Sequence, residues 1–203
     1  MERLSVSDAV TRIAEIHGHI AKGEVYRGWR ATPVALSGIV GLAGGFFQRP
    51  GLAIENPLVF VIYWSAIAAT AAAVGTSEIV YALLRRPTSF ERRQTGRVAI
   101  QLLPPIAAAV VVTVTFIRLG AALVVLLPGL WAVLFGLAIF AARPYLPRAS
   151  GLVALYYAAC GALLLWGTHT NIARSPWAVG GVFGVGQLFA AAVLYWNLER
   201  EGA

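Results

Sequence analysis

The segment 98–142, VAIQLLPPIAAAVVVTVTFIRLGAALVVLLPGLWAVLFGLAIFAA, decides the fold of this protein. Its one charged residue is Arg118, which precedes Leu119 and Gly120. A bilayer core of about 30 Å is crossed by about 20 apolar residues in a helix, and lipid-exposed backbone must satisfy its own hydrogen bonds. The segment is therefore long enough to cross a membrane twice, with a tight turn at Arg118.

The rest of the chain repeats this apolar pattern, and the composition agrees with it. Hydrophobic residues make up 59% of the 203 residues and charged residues 12%, whereas a soluble domain carries roughly 25% charged residues. This excludes a disordered chain and a conventional soluble enzyme, and the single cysteine excludes a disulfide-stapled secreted domain. We predict an all-α integral membrane protein with six transmembrane helices, at about residues 31–47, 57–84, 98–117, 121–142, 151–167 and 177–196.

The basic residues are distributed unevenly between the predicted loops. Of the 16 Lys and Arg residues, Arg49, Arg118 and Arg174 fall on one side of the membrane and all the others on the opposite side. Positive charge marks the cytoplasmic side, so both termini are predicted inside. The net charge of +7 thus records topology and does not indicate a nucleic-acid partner. Because Lys22 is the only lysine and alanine and glycine abound, we predict a bacterial inner-membrane protein.

Residues 1–30 are predicted to form a cytoplasmic amphipathic helix ahead of the membrane domain, which covers residues 31–198. Ser5 and Asp8 have the spacing of a capping box, and apolar residues such as Ile13 and Ile20 recur at helical spacing. We favour a helix that covers the bundle or mediates dimerisation, and the alternative is a sensory or gating element. Residues 199–203 form a short cytoplasmic tail.

The predicted cytoplasmic loop 85–97, RRPTSFERRQTGR, begins at Arg85 and ends at Arg97. Its arginines are typical of a positive-inside loop, and this topological interpretation is the one we favour. The alternative is a binding surface for an acidic partner or for anionic lipid headgroups.

Small residues recur at helix-packing spacing in several spans. The first span contains Gly41 and Gly45, and the sixth contains Gly180 and Gly184. Such faces mark close helix contacts, within a bundle or at an oligomer seam. The spans are predicted to pair as three hairpins in chain order, and similar starts at Arg30 and Arg148 leave a weak parallel repeat as an alternative. Prolines at 104, 105 and 128 should kink or break the third and fourth spans.

Motifs for catalysis or cofactor binding are missing from the sequence. It contains no phosphate-binding glycine loop, H-E-x-x-H, C-x-x-C or nucleophile elbow. Cys160 has the position of a small buried apolar residue, and His17 and His19 point to different sides of one helix. We therefore predict no catalytic residue, no metal and no cofactor.

Glu78 is the one acidic residue within a predicted span. The helix from Pro57 descends about 31 Å before reaching it, so Glu78 should lie near the inner boundary rather than in mid-bilayer. We favour a structural ion pair with Arg30 or Arg27, and the alternative is a proton- or cation-linked inner mouth. The residues predicted at this depth form an inner polar cluster of Glu78, Gln101, Asn197, Arg30 and Tyr81.

Polar residues near mid-bilayer are sparse, and Gln187, Thr70 and Tyr157 are the ones expected to line any cavity. The function we predict is that of a non-catalytic scaffold, accessory or regulatory component, which packs with itself or with membrane partners through glycine-rich faces. The first alternative is a small transporter or channel for a neutral or weakly polar solute, with Glu78 near the cytoplasmic gate. A membrane enzyme acting on lipid or quinone is the third.

Overall fold

The computed structural model describes residues 30–85, 89–169 and 175–200. The predicted N-terminal amphipathic helix, part of the loop 85–97, Arg174 and the last residues of the tail lie outside the described residues. Within the described residues the protein is 88% helical and contains no strand, which confirms the all-α class.

The helices follow one another with short connections. We number them α1 (Ala31–Phe47), α2 (Leu52–Glu55), α3 (Pro57–Arg85), α4 (Ser89–Leu119), α5 (Ala121–Val124), α6 (Leu127–Ala142), α7 (Ser150–Trp166) and α8 (Trp177–Leu194). A 3₁₀ turn, Arg143–Tyr145, follows α6, and a π-helical turn, Tyr195–Glu199, follows α8.

Four of the described helices are long and apolar enough to cross a membrane. Their apolar portions are Pro57–Tyr81, Thr95–Leu119, Leu127–Tyr145 and Trp177–Glu199. The other two predicted spans correspond to α1 and α7, which are apolar but have 17 residues each. At 1.5 Å per residue each is about 25 Å long, slightly shorter than the hydrocarbon core.

Proline acts differently in the third and fourth predicted spans. Helix α4 begins at Ser89, well before the predicted start near residue 98, and continues unbroken through Pro104 and Pro105. The fourth span is divided into α5 and α6, and Pro128 lies in the first turn of α6. Proline is tolerated there because the amide that it lacks has no helical partner in a first turn.

The six longer helices form a ring in chain order. Each packs against its neighbours in the sequence, and α8 returns to pack against α1. The closest pairs are α1 with α8 and α6 with α7, whereas α3 and α4 pack loosely. Of the three predicted hairpins, the first two are close pairs, but α7 and α8 pack more closely against α6 and α1 than against each other.

Glycine accounts for the two closest helix pairs. Where α1 meets α8, a Cβ atom added at Gly41 would lie 3.3 Å from the Cα of Gly184, and one added at Gly45 would lie 3.1 Å from the Cα of Gly180. Between α6 and α7, a Cβ at Gly161 would lie 2.6 Å from the carbonyl oxygen of Gly129. The two glycine faces predicted in the first and sixth spans therefore pack against each other within one chain.

Candidate functional site

The bundle has two ends, which we call the Arg30 end and the Gln48 end after the residues that flank α1. At the Arg30 end, the Nε of Arg30 lies 3.1 Å from the Oε2 of Glu78. This is the ion pair that the sequence analysis favoured, and it joins the start of α1 to α3. The two side chains are 68% and 43% exposed, so the pair lies at the surface of the bundle.

Glu199 completes this junction from a third helix. Its Oε1 accepts a hydrogen bond from the backbone amide of Ala31 at 2.8 Å. The first amides of a helix have no helical acceptor, and a carboxylate at that position also suits the positive end of the helix dipole. The start of α1 is thereby joined to α3 through Arg30 and to the end of α8 through Ala31. Glu199 was not predicted from the sequence, although it directly follows the sixth apolar span.

The other members of the predicted polar cluster lie on α3, on α4 and in the π-helical turn after α8. Asn197 donates from Nδ2 to the carbonyl of Val193 within its own helical segment, at 2.8 Å. Gln101 is half-buried on α4, and Tyr81 is exposed on α3. Of the five residues in that cluster, Arg30 and Glu78 are the two joined by an ion pair among the described contacts.

The three predicted cavity residues lie in different parts of the bundle. The Tyr157 side chain is fully buried between α6 and α8, and its hydroxyl donates to the carbonyl of Phe183 at 3.2 Å. Gln187 is half-buried beside Gly38 where α8 packs on α1. Thr70 is exposed on α3, and its hydroxyl donates to the carbonyl of Ala66 at 2.9 Å.

At the Gln48 end, the structure adds a polar contact that the sequence analysis missed. Gln48 is 5% exposed, and its Oε1 accepts a hydrogen bond from the indole nitrogen of Trp64 at 2.6 Å. Beside it, the hydroxyl of Tyr63 donates to the carbonyl of Gly44 at 2.6 Å. Gln48 precedes Arg49 and Pro50, a sequence that is typical of an exposed loop. Nothing in the neighbouring residues therefore predicted that Gln48 is buried.

Helices α3 and α4 pack loosely against each other, and their residues share a core cluster at each end of the bundle. At the Gln48 end, Val61 of α3 is in the same core cluster as Val112 and Phe116 of α4. At the Arg30 end, Ile79 of α3 packs against the cluster that contains Val98 of α4.

Between these clusters α3 carries a run of small exposed residues. Ser65, Ala68 and Ala72 continue the three- and four-residue spacing from Val61 to Ile79. On α4, Pro105 and Ala109 lie between the residues of the two clusters and are half-buried. We call these five residues the α3–α4 region.

The two ends of the bundle differ in charge. Within the described ranges, the Arg30 end carries eight basic residues, Arg30, Arg85, Arg92, Arg93, Arg97, Arg143, Arg148 and Arg200, and three acidic ones, Glu78, Glu91 and Glu199. Those at the Gln48 end are Arg49 and Arg118 against Glu55. At the Gln48 end, the carboxylate of Glu55 lies 3.8 Å from Arg49. The excess positive charge thus lies at the Arg30 end.

Comparison with known proteins gives no relative, because no family model, no curated protein and no solved structure matches this chain.

Proposed function

We propose that this protein is a six-span bacterial inner-membrane protein with both termini in the cytoplasm. It acts without catalysis, as a scaffold or accessory component that binds another membrane component. The observation that carries this proposal is the unequal packing around the ring. In an apolar stretch of 18 residues within each span, 44% of the α8 residues and 39% of the α6 residues are buried in the bundle, against 17% for α3 and 0% for α4.

The tightly packed part of the ring supports a rigid platform. Backbone contacts at Gly45 and Gly180 and at Gly129 and Gly161 leave little room for these helices to shift, because protein interiors resist small changes in volume. The glycine faces are thereby occupied inside the chain. Of the four long spans, α3 and α4 leave the most surface uncovered for a partner.

The six-span topology rests on the chain order and on the charge difference between the ends. Helices α1 and α7 are short, but residues beside a short span adapt to the bilayer by snorkelling or by local thinning. Single cysteines placed at Arg97 and at Arg118 in a Cys160→Ala background test the topology. A membrane-impermeant maleimide added to intact cells should label position 118 and spare position 97, and labelling of both positions from outside would refute it.

Site-specific photo-crosslinking in native membranes tests the binding role. A photoreactive residue at Val111, exposed on α4, should give one discrete adduct beyond the bulk lipid background, whereas one at Leu163, exposed on α7, should give that background alone. Adducts that are the same at both positions would refute the assignment of the binding surface to α3 and α4.

A second candidate function is a pathway for a neutral or weakly polar solute. The observation that favours it is the α3–α4 region, where the small residues Ser65 and Ala68 are exposed midway along α3. Flux into proteoliposomes would then fall in the Glu78→Ala and Ala68→Phe variants. Flux equal to that of protein-free liposomes, or unchanged in both variants, argues against this function.

A further inference from the structure

We propose that the π-helical turn at the end of α8 is a two-state switch, which controls the start of α1 through its helical register. In the π register, the Glu199 carboxylate accepts a hydrogen bond from the backbone amide of Ala31 at 2.8 Å. In an α register, Leu198 would take the place of Glu199 and the amide would lose this acceptor. The inference concerns a conformational device, and it depends neither on the binding role nor on the topology proposed above.

The π turn is a continuation of the helix with one extra residue. The backbone amide of Arg200 donates to the carbonyl of Tyr195, five residues earlier (195 to 200). Helices commonly end at a left-handed residue. Here the segment Tyr195–Glu199 is helical, and Arg200 keeps helical angles, with φ −64° and ψ −30°. Such π turns are rare and often lie at functional sites.

Counting turns along α8 shows what the extra residue does. Gly180 marks the side of α8 that faces α1, because a Cβ added there would lie 2.5 Å from the Cα of Gly45. Residue 198 lies 18 positions further along (180 to 198), which is five full turns at 3.6 residues per turn. A continuous α-helix would therefore direct Leu198 towards α1 and turn Glu199 about 100° away. With one extra residue, Glu199 takes the position that faces α1, in agreement with its bond to Ala31.

The two registers differ mainly in this one hydrogen bond. Leu198 already packs against the core cluster that contains Ala31 and Leu194, so an α register keeps an apolar contact with α1. What the α register loses is the carboxylate at the Ala31 amide, which is one of the first amides of α1 and has no acceptor within the helix. The negative charge also suits the positive end of the α1 dipole. Because the α register is the ordinary state of a helix, the bond from Ala31 to Glu199 is what selects the π register.

The switch connects the end of α8 to the point where the chain enters α1. In the π register, the first turn of α1 is held by Glu199 and, through the Arg30 side chain, by Glu78 of α3 at 3.1 Å. In the α register, the second of these two contacts remains and the first is lost, so the first turn of α1 opens more readily. A partner that turns the end of α8 would thereby loosen the chain at residue 30 without separating the glycine faces of α1 and α8.

Hydrogen exchange of the Ala31 amide, measured by NMR on the full chain in detergent micelles, tests the switch. Glu199→Leu removes the acceptor, so exchange at Ala31 should become about fivefold faster or more. The double variant Leu198→Glu/Glu199→Leu, which we call the swapped chain, also has leucine at position 199. Its carboxylate lies where an α register would direct it towards α1. The turn should therefore adopt that register, and exchange at Ala31 should slow again to near the rate of the unsubstituted chain.

A deletion gives a second test of the same geometry. Asn197 is exposed, and its side chain bonds to the carbonyl of Val193 in its own helical segment. Deleting Asn197 removes the extra residue, so a continuous α-helix brings Glu199 to the side that faces α1, and exchange at Ala31 should stay slow. The same deletion made in the swapped chain moves the carboxylate off that side and should give fast exchange.

Several outcomes would overturn the proposal. Exchange in the swapped chain as fast as in Glu199→Leu would show that the register is fixed. Slow exchange in Glu199→Leu would show that the carboxylate does not cap α1, and fast exchange after deletion of Asn197 would contradict the count of turns. The amide of Gly41, in the middle of α1, is the internal reference. A rise at Gly41 equal to that at Ala31 would show that the first turn does not open by itself, and this too would overturn the switch.

Discussion

Gly45 of α1 and Gly180 of α8 approach so closely that a Cβ added at Gly180 would lie 2.5 Å from the Cα of Gly45. The adjacent glycine differs. A Cβ at Gly181 would meet the side chain of Trp177 at 3.5 Å, an ordinary contact distance. Two neighbouring glycines thus have different reasons to lack a side chain, and this contrast gives a direct test of the α1–α8 interface.

Gly180→Ala should destabilise the bundle by about 1–3 kcal/mol, because the backbones of α1 and α8 must separate to admit the methyl group. Gly181→Ala should be neutral or slightly stabilising, since alanine is the better helix former and finds space. Unfolding in mixed micelles, followed by tryptophan fluorescence, measures both. Equal free energies of unfolding for the two variants would contradict the described interface.

The buried pair of Gln48 and Trp64 should contribute measurably to stability. Trp64→Phe leaves the Gln48 side chain without its donor, and Gln48→Leu leaves the indole without its acceptor. Hydrogen bonds between membrane helices contribute about 0.6 kcal/mol on average and up to about 1.7 kcal/mol. A double-mutant cycle should therefore give a coupling energy in this range.

The control for this cycle is Trp166→Phe, because Trp166 is 90% exposed. Trp166→Phe should change the free energy of unfolding little and should show no coupling energy with Gln48→Leu. A coupling energy of zero between Gln48 and Trp64 would show that their contact does not hold α1 against α3.

The Arg30–Glu78 pair should contribute little to stability, despite linking two helices. Exposed ion pairs are screened and typically contribute less than about 1 kcal/mol. Glu78→Gln and Arg30→Gln should each change the free energy of unfolding by less than this, and the change should shrink further at high salt. A loss of several kcal/mol in Glu78→Gln would mean that the carboxylate is buried in the membrane-embedded protein.

Glu199 should protect the first turn of α1 from opening. Glu199→Ala removes the acceptor of the Ala31 amide, so hydrogen exchange at the first amides of α1 should become faster. Glu55→Ala provides the comparison, since it removes an exposed carboxylate at the opposite end of the bundle. Unchanged exchange at Ala31 in the Glu199 variant would refute the cap.

The sequence predicted much of the fold because membrane crossing leaves a strong local signal. Continuous apolar runs located the helices, and the Gly41/Gly45 and Gly180/Gly184 spacings marked close faces. The identity of the partner helix had no such signal. These two faces pack against each other because α8 returns to α1 and closes the ring, and this closure depends on the packing of all six helices.

The candidate site was predicted less completely, for a similar reason. The Arg30–Glu78 pair followed from depth and charge, both of which can be counted along the chain. Glu199 and Gln48 were missed because their partners, the Ala31 amide and the Trp64 indole, are neighbours in space only. The exposure of Ala68 and Ala72 was also beyond prediction, since exposed alanines within an apolar span look the same in sequence as packed ones.

The return of α8 to α1 has a consequence for biosynthesis. Helix α1 is synthesised before the other helices of the described part of the chain, yet the glycine face that it buries most closely belongs to α8, which is made after them. Until α8 is made, Gly41 and Gly45 lack the surface that they pack against, and among the described helices α3 is the main neighbour of α1. A chain truncated after α7 should therefore hold α1 only loosely. We expect quality-control proteases to degrade this truncated chain faster than the full chain.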